Sequence, residues 1–204
     1  MVYGAGGHGR VVADAAMCLG LEVLGFLDDH RSVGEPLGSG CVLGGSGWWR
    51  EHPDVEVVLG VGDNWSRQRL GAELARVGRQ PLRVVHPSAV VSSAASLGPG
   101  SVVLALAVVN AGARIGTGAI INSAAVVEHD ASVGDYAHVS PHATLAGAAR
   151  LGELSQLGAA ACVLPGIGVG PCSLVGAGAV VTRDVPGGSV CAGVPARVTR
   201  TLVR

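Results

Sequence analysis

At 204 residues and a net charge of −1, the chain is long enough to bury a core without disulfides and lacks the basic surplus of a nucleic-acid binder. Its 14 basic residues are all arginine, which excludes lysine chemistry. The 5 cysteines are scattered with no CxxC spacing, and no stretch approaches the roughly 18 apolar residues of a membrane span, so a soluble cytoplasmic protein is expected.

The first predicted elements are a strand and a helix joined by VYGAGGHGR, residues 2–10, where Gly4, Gly6 and Gly9 spell the GxGxxG dinucleotide fingerprint. VVADAAMCLGLEVLGFLDDH continues the helix and adds a strand ending at Asp28 and Asp29. Residues 1–84 suffice for one βαβ half but not for the two halves that grip NAD, so NAD is not expected. The first strand looks shortened, because Val2 is already in it. A second turn, LGVGDNWSRQR, brings Asp63, Asn64, Arg67 and Arg69 to the same carboxyl edge of the sheet, where open α/β sheets bind ligands. VVHPSAVV, Val84 to Val91, reads as a hinge, with Pro87 ending the sheet domain; the domains expected are 1–84 and 85–204.

From Val91 to Val181, every sixth residue is aliphatic. Four residues after each comes, almost always, Ala or Ser. Glycine and alanine abound while aromatics make up only 3% of the chain, and a period of six fits neither a helix nor plain strand alternation. The pattern predicts a solenoid of short strands with both registers inward. Glycines following the aliphatic residue, as in IGTG, LGEL, VGPC and VGAG, are expected at turns with positive φ.

Outward positions are mostly Gly, Ala and Ser, except in INSAAVVEHDASVGDYAHVSPHATLAG, residues 121–147, which concentrates Asn122, Glu128, His129, Asp130, His138 and His142. His129 between two carboxylates has the parts of a general base and its orienter, either Asp130 or Glu128. His142 reads as structural.

The hexad pattern from Val91 to Val198 resembles the hexapeptide-repeat acyltransferases, and GVPAR, residues 193–197, resembles their closing segment. With GAGGHGR, FLDD, GDN…R and HPSA, the whole chain resembles the bacterial sugar acetyltransferases related to sialic acid O-acetyltransferases and UDP-4-amino-sugar N-acetyltransferases. The resemblance implies a Rossmann-like α/β N-terminal half-domain followed by a left-handed parallel β-helix with three hexads per coil. It further implies a homotrimer with active sites between prisms, so that His129 of one copy and His138 of the next share a cleft.

The implied activity is acetyl-CoA-dependent N-acetylation of a nucleotide-linked 4-amino-4,6-dideoxy sugar for bacterial glycan or glycoprotein biosynthesis. O-acetylation of sialic acid or another sugar hydroxyl is an alternative. His129, Asp130, Glu128, Asn122 and His138 would be catalytic. Gly6, Gly7, His8, Gly9, Asp28, Asp29, Asn64 and Arg67 would hold the nucleotide sugar. Coenzyme would meet His138, Gly147, Gly176, Ala177, Pro195 and Arg197, with backbone amides near Gly147 and Gly176 receiving coenzyme and oxyanion. A zinc site of the carbonic anhydrase type is a more distant alternative, but His138 and His142 are four apart where those enzymes space two ligands by five, and no metal is expected.

Overall fold

A computed structural model describes residues 1–38 and 40–202; Val203 and Arg204, the end of the expected second domain, lie outside the described residues. The N-terminal sheet contains β1 (Val2–Tyr3), β2 (Phe26–Leu27), β3 (Pro36–Leu37), β4 (Gly40–Gly44) and β5 (Val58–Leu59), ordered β3-β4-β2-β1-β5. β1 is short but central, pairing in parallel with both β2 and β5, so its brevity does not thin an edge. Three helices accompany the sheet: α1 (Gly7–Cys18), α2 (Trp48–Glu51) and α3 (Asn64–Arg76). No helix among the described residues is long and apolar enough to cross a membrane.

β6 (Val84–Val85) pairs in parallel with Val102–Val103 and is the first rung of the next domain, so the boundary expected after residue 84 falls inside this strand. From there the chain winds through two-residue strands whose partners lie eighteen residues on, as in Ile120↔His138, Val126↔Thr144 and Ser132↔Arg150. Three hexads therefore make one coil of a parallel β-helix with three faces. The aliphatic and alanine registers, Val103, Ala107, Val109, Ala113 and their successors, fill its interior as expected.

The faces differ in their outward residues. The first, from β6 through His138–Val139 to Leu174–Val175, points Val84, Val102 and Ile120 under the N-terminal domain, where they are fully buried. One apolar core joins Val2, Phe26 and Val58 of the sheet, Val12 and Ala16 of α1, and Val84, Val102 and Leu104 of the prism, so α1 is the filling between the two halves. The second face presents Val90, Val108, Val126, Thr144, Cys162 and Val180, while the third presents Ser96, Arg114, Ser132, Arg150 and Gly168. A hairpin of Ser189–Gly193 and Ala196–Thr201 closes the last coil.

Positive φ recurs at every sixth residue from 100 to 178, including non-glycine residues such as Leu106, Asp130, Tyr136 and His142. Each is the corner residue of its coil, and each non-glycine one carries a conformational cost of about 1–2 kcal/mol that the ladder and core offset. The sequence expectation placed positive φ on the glycine after the aliphatic; in IGTG it falls instead on Gly118, two residues later. The glycine next to the aliphatic serves another end. Gly98, Gly116, Gly134, Gly152 and Gly170 stack in one column where adjacent coils approach closely, and a Cβ on Gly116 would lie 2.6 Å from the Asp135 amide nitrogen. Gly116→Ala is therefore expected to lower stability by about 1–3 kcal/mol, since backbone must move to admit a methyl group. Gly166→Asn, at φ +72° with open space around it, should cost about 1 kcal/mol or less. Urea denaturation of both variants checks the contrast.

Candidate active site

The polar residues of 121–147 separate into two groups on the prism. His129 and Asp130 lie at the corner between the second and third faces, following Val126–Val127. Their backbone is set by Asp130 in the left-handed conformation, φ 60°, which turns its carboxylate back to the preceding ring. Asp130 Oδ2 stands 3.0 Å from His129 Nδ1, and both side chains are about two-thirds exposed, at 68% and 65%. Glu128 is occupied elsewhere, accepting from Asn110 Nδ2 at 2.9 Å and from the His129 amide at 3.3 Å. Asp130 is thus the ring's partner.

This pairing places the ring proton on Nδ1 and leaves Nε2 as acceptor, and it raises the His129 pKa above the usual 6.5. Nε2 faces Gly147 one coil on, where a Cβ would come within 2.6 Å of it. The missing side chain keeps Nε2 open.

The second group lies on the first face, against the N-terminal domain. His138 Nε2 is 3.0 Å from Asn122 Nδ2, and the His138 ring lies 6.1 Å from that of His8. Burial, then the nearby Arg67 and His8, lower the His138 pKa to about 3. His8 is held at about 4 by burial and Arg67, and its Nε2 is buried without a partner. Among the described residues no group of His, Cys, Asp and Glu comes together as a metal set, and His129, His138 and His142 occupy a corner, a face and another corner.

Several expected ligand residues have structural work instead. Arg67 has no exposed surface, and all three guanidinium nitrogens donate to protein acceptors: Nε to Gly118 O, Nη1 to Val61 O and Gly62 O, Nη2 to Tyr136 O, Ala137 O and Asn64 Oδ1. Nothing is left for a phosphate. Asn64 is likewise buried, donating to Leu154 O and Ser155 O. Gly9 also proves to be a packing residue, because a Cβ there would overlap the Gly4 carbonyl oxygen. The Gly176 amide is spent on Cys191 O at 2.7 Å and is not available to coenzyme.

Other expected residues are open. Gly6 and Gly7 are exposed with nothing within 4 Å of a built Cβ, and no side-chain cap takes the first-turn amides of α1. Asp28 sits beside them, accepting from the Ala5 amide at 2.9 Å, while Asp29 accepts from Tyr3 Oη at 2.5 Å and from the Ser46 amide at 2.6 Å. Ala177 is exposed at a corner, and Pro195 and Arg197 lie exposed at the closing hairpin, Arg197 Nη1 donating to Ala196 O.

Residues 1–74 match the family described as PglD N-terminal domain. PerB of Caulobacter crescentus, solved with CoA and GDP-perosamine, is 37% identical with a TM-score of 0.92, covering 98% of this chain and 96% of that one. The chain belongs to the hexapeptide-repeat sugar N-acetyltransferases. The acetyltransferase domain of PglB from Neisseria gonorrhoeae, solved with acetyl coenzyme A, is 40% identical with a TM-score of 0.92 and 97% coverage of both chains. The curated UDP-N-acetylbacillosamine N-acetyltransferase of Bacillus subtilis is 37% identical over 116 residues, 51% of this chain and half the length of that relative. The architecture is accordingly a Rossmann-like half-domain on a left-handed parallel β-helix.

Asn110, Ser140 and Gln156 of this acetyltransferase-family chain were not singled out by sequence. Asn110 lies one coil below its partner Glu128, and Gln156 Nε2 donates to Ser140 Oγ at 3.3 Å with the same sixteen-residue offset as Asn122 and His138. Coil arithmetic would have found both. Because His8 and His138 hold folded pKa values below 6.5, the unfolded chain takes up protons first as pH falls. Stability is expected to be full above pH 6.5 and to decline from there toward pH 4, by about 2 kcal/mol per ring at pH 5. Chemical denaturation between pH 5 and 8 measures it, with His8→Asn and His138→Asn each flattening the slope.

Proposed function

We propose that the protein transfers the acetyl group of acetyl-CoA to the amine of a nucleotide-linked 4-amino-4,6-dideoxy sugar, in bacterial surface-glycan or glycoprotein biosynthesis. The observation that carries this reading is the His129–Asp130 pair with Nε2 open above Gly147. The neutral amine attacks the thioester carbonyl carbon, and His129 Nε2 takes the proton that the new C–N bond makes acidic. Asp130 stabilises the imidazolium. Collapse of the tetrahedral intermediate breaks the C–S bond, and His129 returns the proton to the departing thiolate. The amide of Gly147 itself serves the coenzyme or the oxyanion. The open amides of Gly6 and Gly7 at the N-terminus of α1 are suited to the acceptor's diphosphate, with Asp28 or Asp29 on its nucleoside. The relatives solved with GDP-perosamine, CoA and acetyl coenzyme A support this choice of substrates.

The functional unit in this reading is a homotrimer in the cytoplasm. Val90 is 63% exposed on the second face, and the half-buried Val108, Val126, Cys162 and Val180 continue an apolar strip. His129 borders that strip, so a second copy seated there would enclose the exposed base and bring its own first face toward the cleft. The five free thiols fit a reducing compartment.

Thiol release from acetyl-CoA with UDP-, dTDP- and GDP-linked 4-amino sugars and with sialic acid tests the assignment. One nucleotide amine is expected to turn over, and His129→Ala to lose about 10²- to 10⁴-fold in kcat. As the His129 pKa is raised and the base acts when deprotonated, kcat/KM should increase with pH through an ionisation above 6.5. Turnover of sialic acid alone would move the acceptor to a hydroxyl, and full activity of His129→Ala with fold and assembly intact would remove the base from this role.

A further inference from the structure

The GDN…R turn yields a role that neither ligand binding nor catalysis accounts for. Carbonyls of the corner residues Gly118, Tyr136 and Leu154 form a column, one per coil, between the third and first faces. The β-ladder supplies none of them with a backbone donor. The first turn of α3 does so instead: Arg67 bonds Gly118 O and Tyr136 O at 2.7 Å each, and Asn64 bonds Leu154 O at 3.1 Å. Arg67 Nη2 reaches Asn64 Oδ1 at 2.8 Å, locking the two side chains together.

The same guanidinium bonds the carbonyls of Tyr136 and Ala137, the two residues before His138. We infer that Arg67 is a positioning residue for the acetyl transfer: it sets the N-terminal half in register on the prism, holds the two carbonyls just before His138 and places a cation beside the buried His8–His138 pair, so that His138 presents a fixed Nδ1–H donor. This rests on the reading of the site given above.

The groups facing His138 support the inference. From α1 it meets His8; from α3, Arg67; from the neighbouring strands, the amides Asn122 and Gln156. Among the described residues no carboxylate acts on it, whereas Asp63 and Tyr136 act on Arg67, which stays a cation although burial lowers its pKa to about 10. Asn122 Nδ2 donates to His138 Nε2, which fixes the remaining proton on Nδ1. A ring so held offers one N–H throughout the pH range in which His129 loses its proton.

Histidine ¹⁵N NMR of the full-length wild type, assigned with His8→Asn and His138→Asn, tests the charge state without any turnover. His138 should show the Nδ1–H tautomer, and both rings should remain neutral from pH 8 to 5.5 while His129 titrates above 6.5. Titration of either ring in that range would overturn the inference. In Arg67→Gln both midpoints should move upward, and kcat/KM for whichever acceptor turns over should fall at least tenfold while KM for acetyl-CoA is unchanged. Arg67→Lys should keep the low midpoints. Unmoved midpoints in a folded Arg67→Gln, or a kinetic loss that merely follows its folded fraction, would also overturn it. If Arg67→Gln does not fold, the wild-type titration decides. Failure on nucleotide amines would count against the proposed function and leave the charge-state result standing.

Discussion

The structure depends on one backbone constraint: a corner in the left-handed conformation every six residues, repeated along the prism. Because three corners close a coil, residues eighteen apart become neighbours in the ladder at the usual strand spacing of about 4.8 Å. Every contact that matters at the candidate site follows from this. Asn110 reaches Glu128, His129 looks onto Gly147, and the carbonyls that Arg67 and Asn64 bind stand in a column. The solenoid is a ruler for chemistry as well as a core.

The second constraint is that a β-helix cannot satisfy its own corner carbonyls. Along one corner the N-terminal half supplies donors, and the donor is a guanidinium with no exposed surface. Burying that charge is expensive unless every N–H is bonded, and here each nitrogen has an acceptor. A surface that would otherwise be wet becomes the seat of a second domain, and the histidines nearest it live beside a cation.

Much of this was legible in the residues. The aliphatic and alanine registers identified the prism because a repeat with one phase leaves few ways to bury its apolar side chains. The EHD triplet pointed to His129 as the proposed base, although only coordinates separate Asp130, on the ring, from Glu128, on Asn110. The errors share a cause. Gly176 and Arg67 were read by residue type at a motif position, whereas their roles depend on what crosses from another coil or domain. A buried arginine bound to carbonyls leaves no local pattern in sequence. The corner position was misread for the same reason: glycine marks both a backbone that turns and a backbone that is crowded, as Gly118 and Gly116 show side by side.

The shared core of Val12, Ala16, Val84, Val102 and Leu104 carries a lesson for anyone recombining this family. A graft of a foreign N-terminal half onto this prism would bring a new α1 onto a surface shaped for the old one. The seam lies along the first face rather than at the chain's crossing point near residue 84, so a viable chimera must exchange outward residues of several coils together with the N-terminal segment. The two halves of such a fold are inherited as one block.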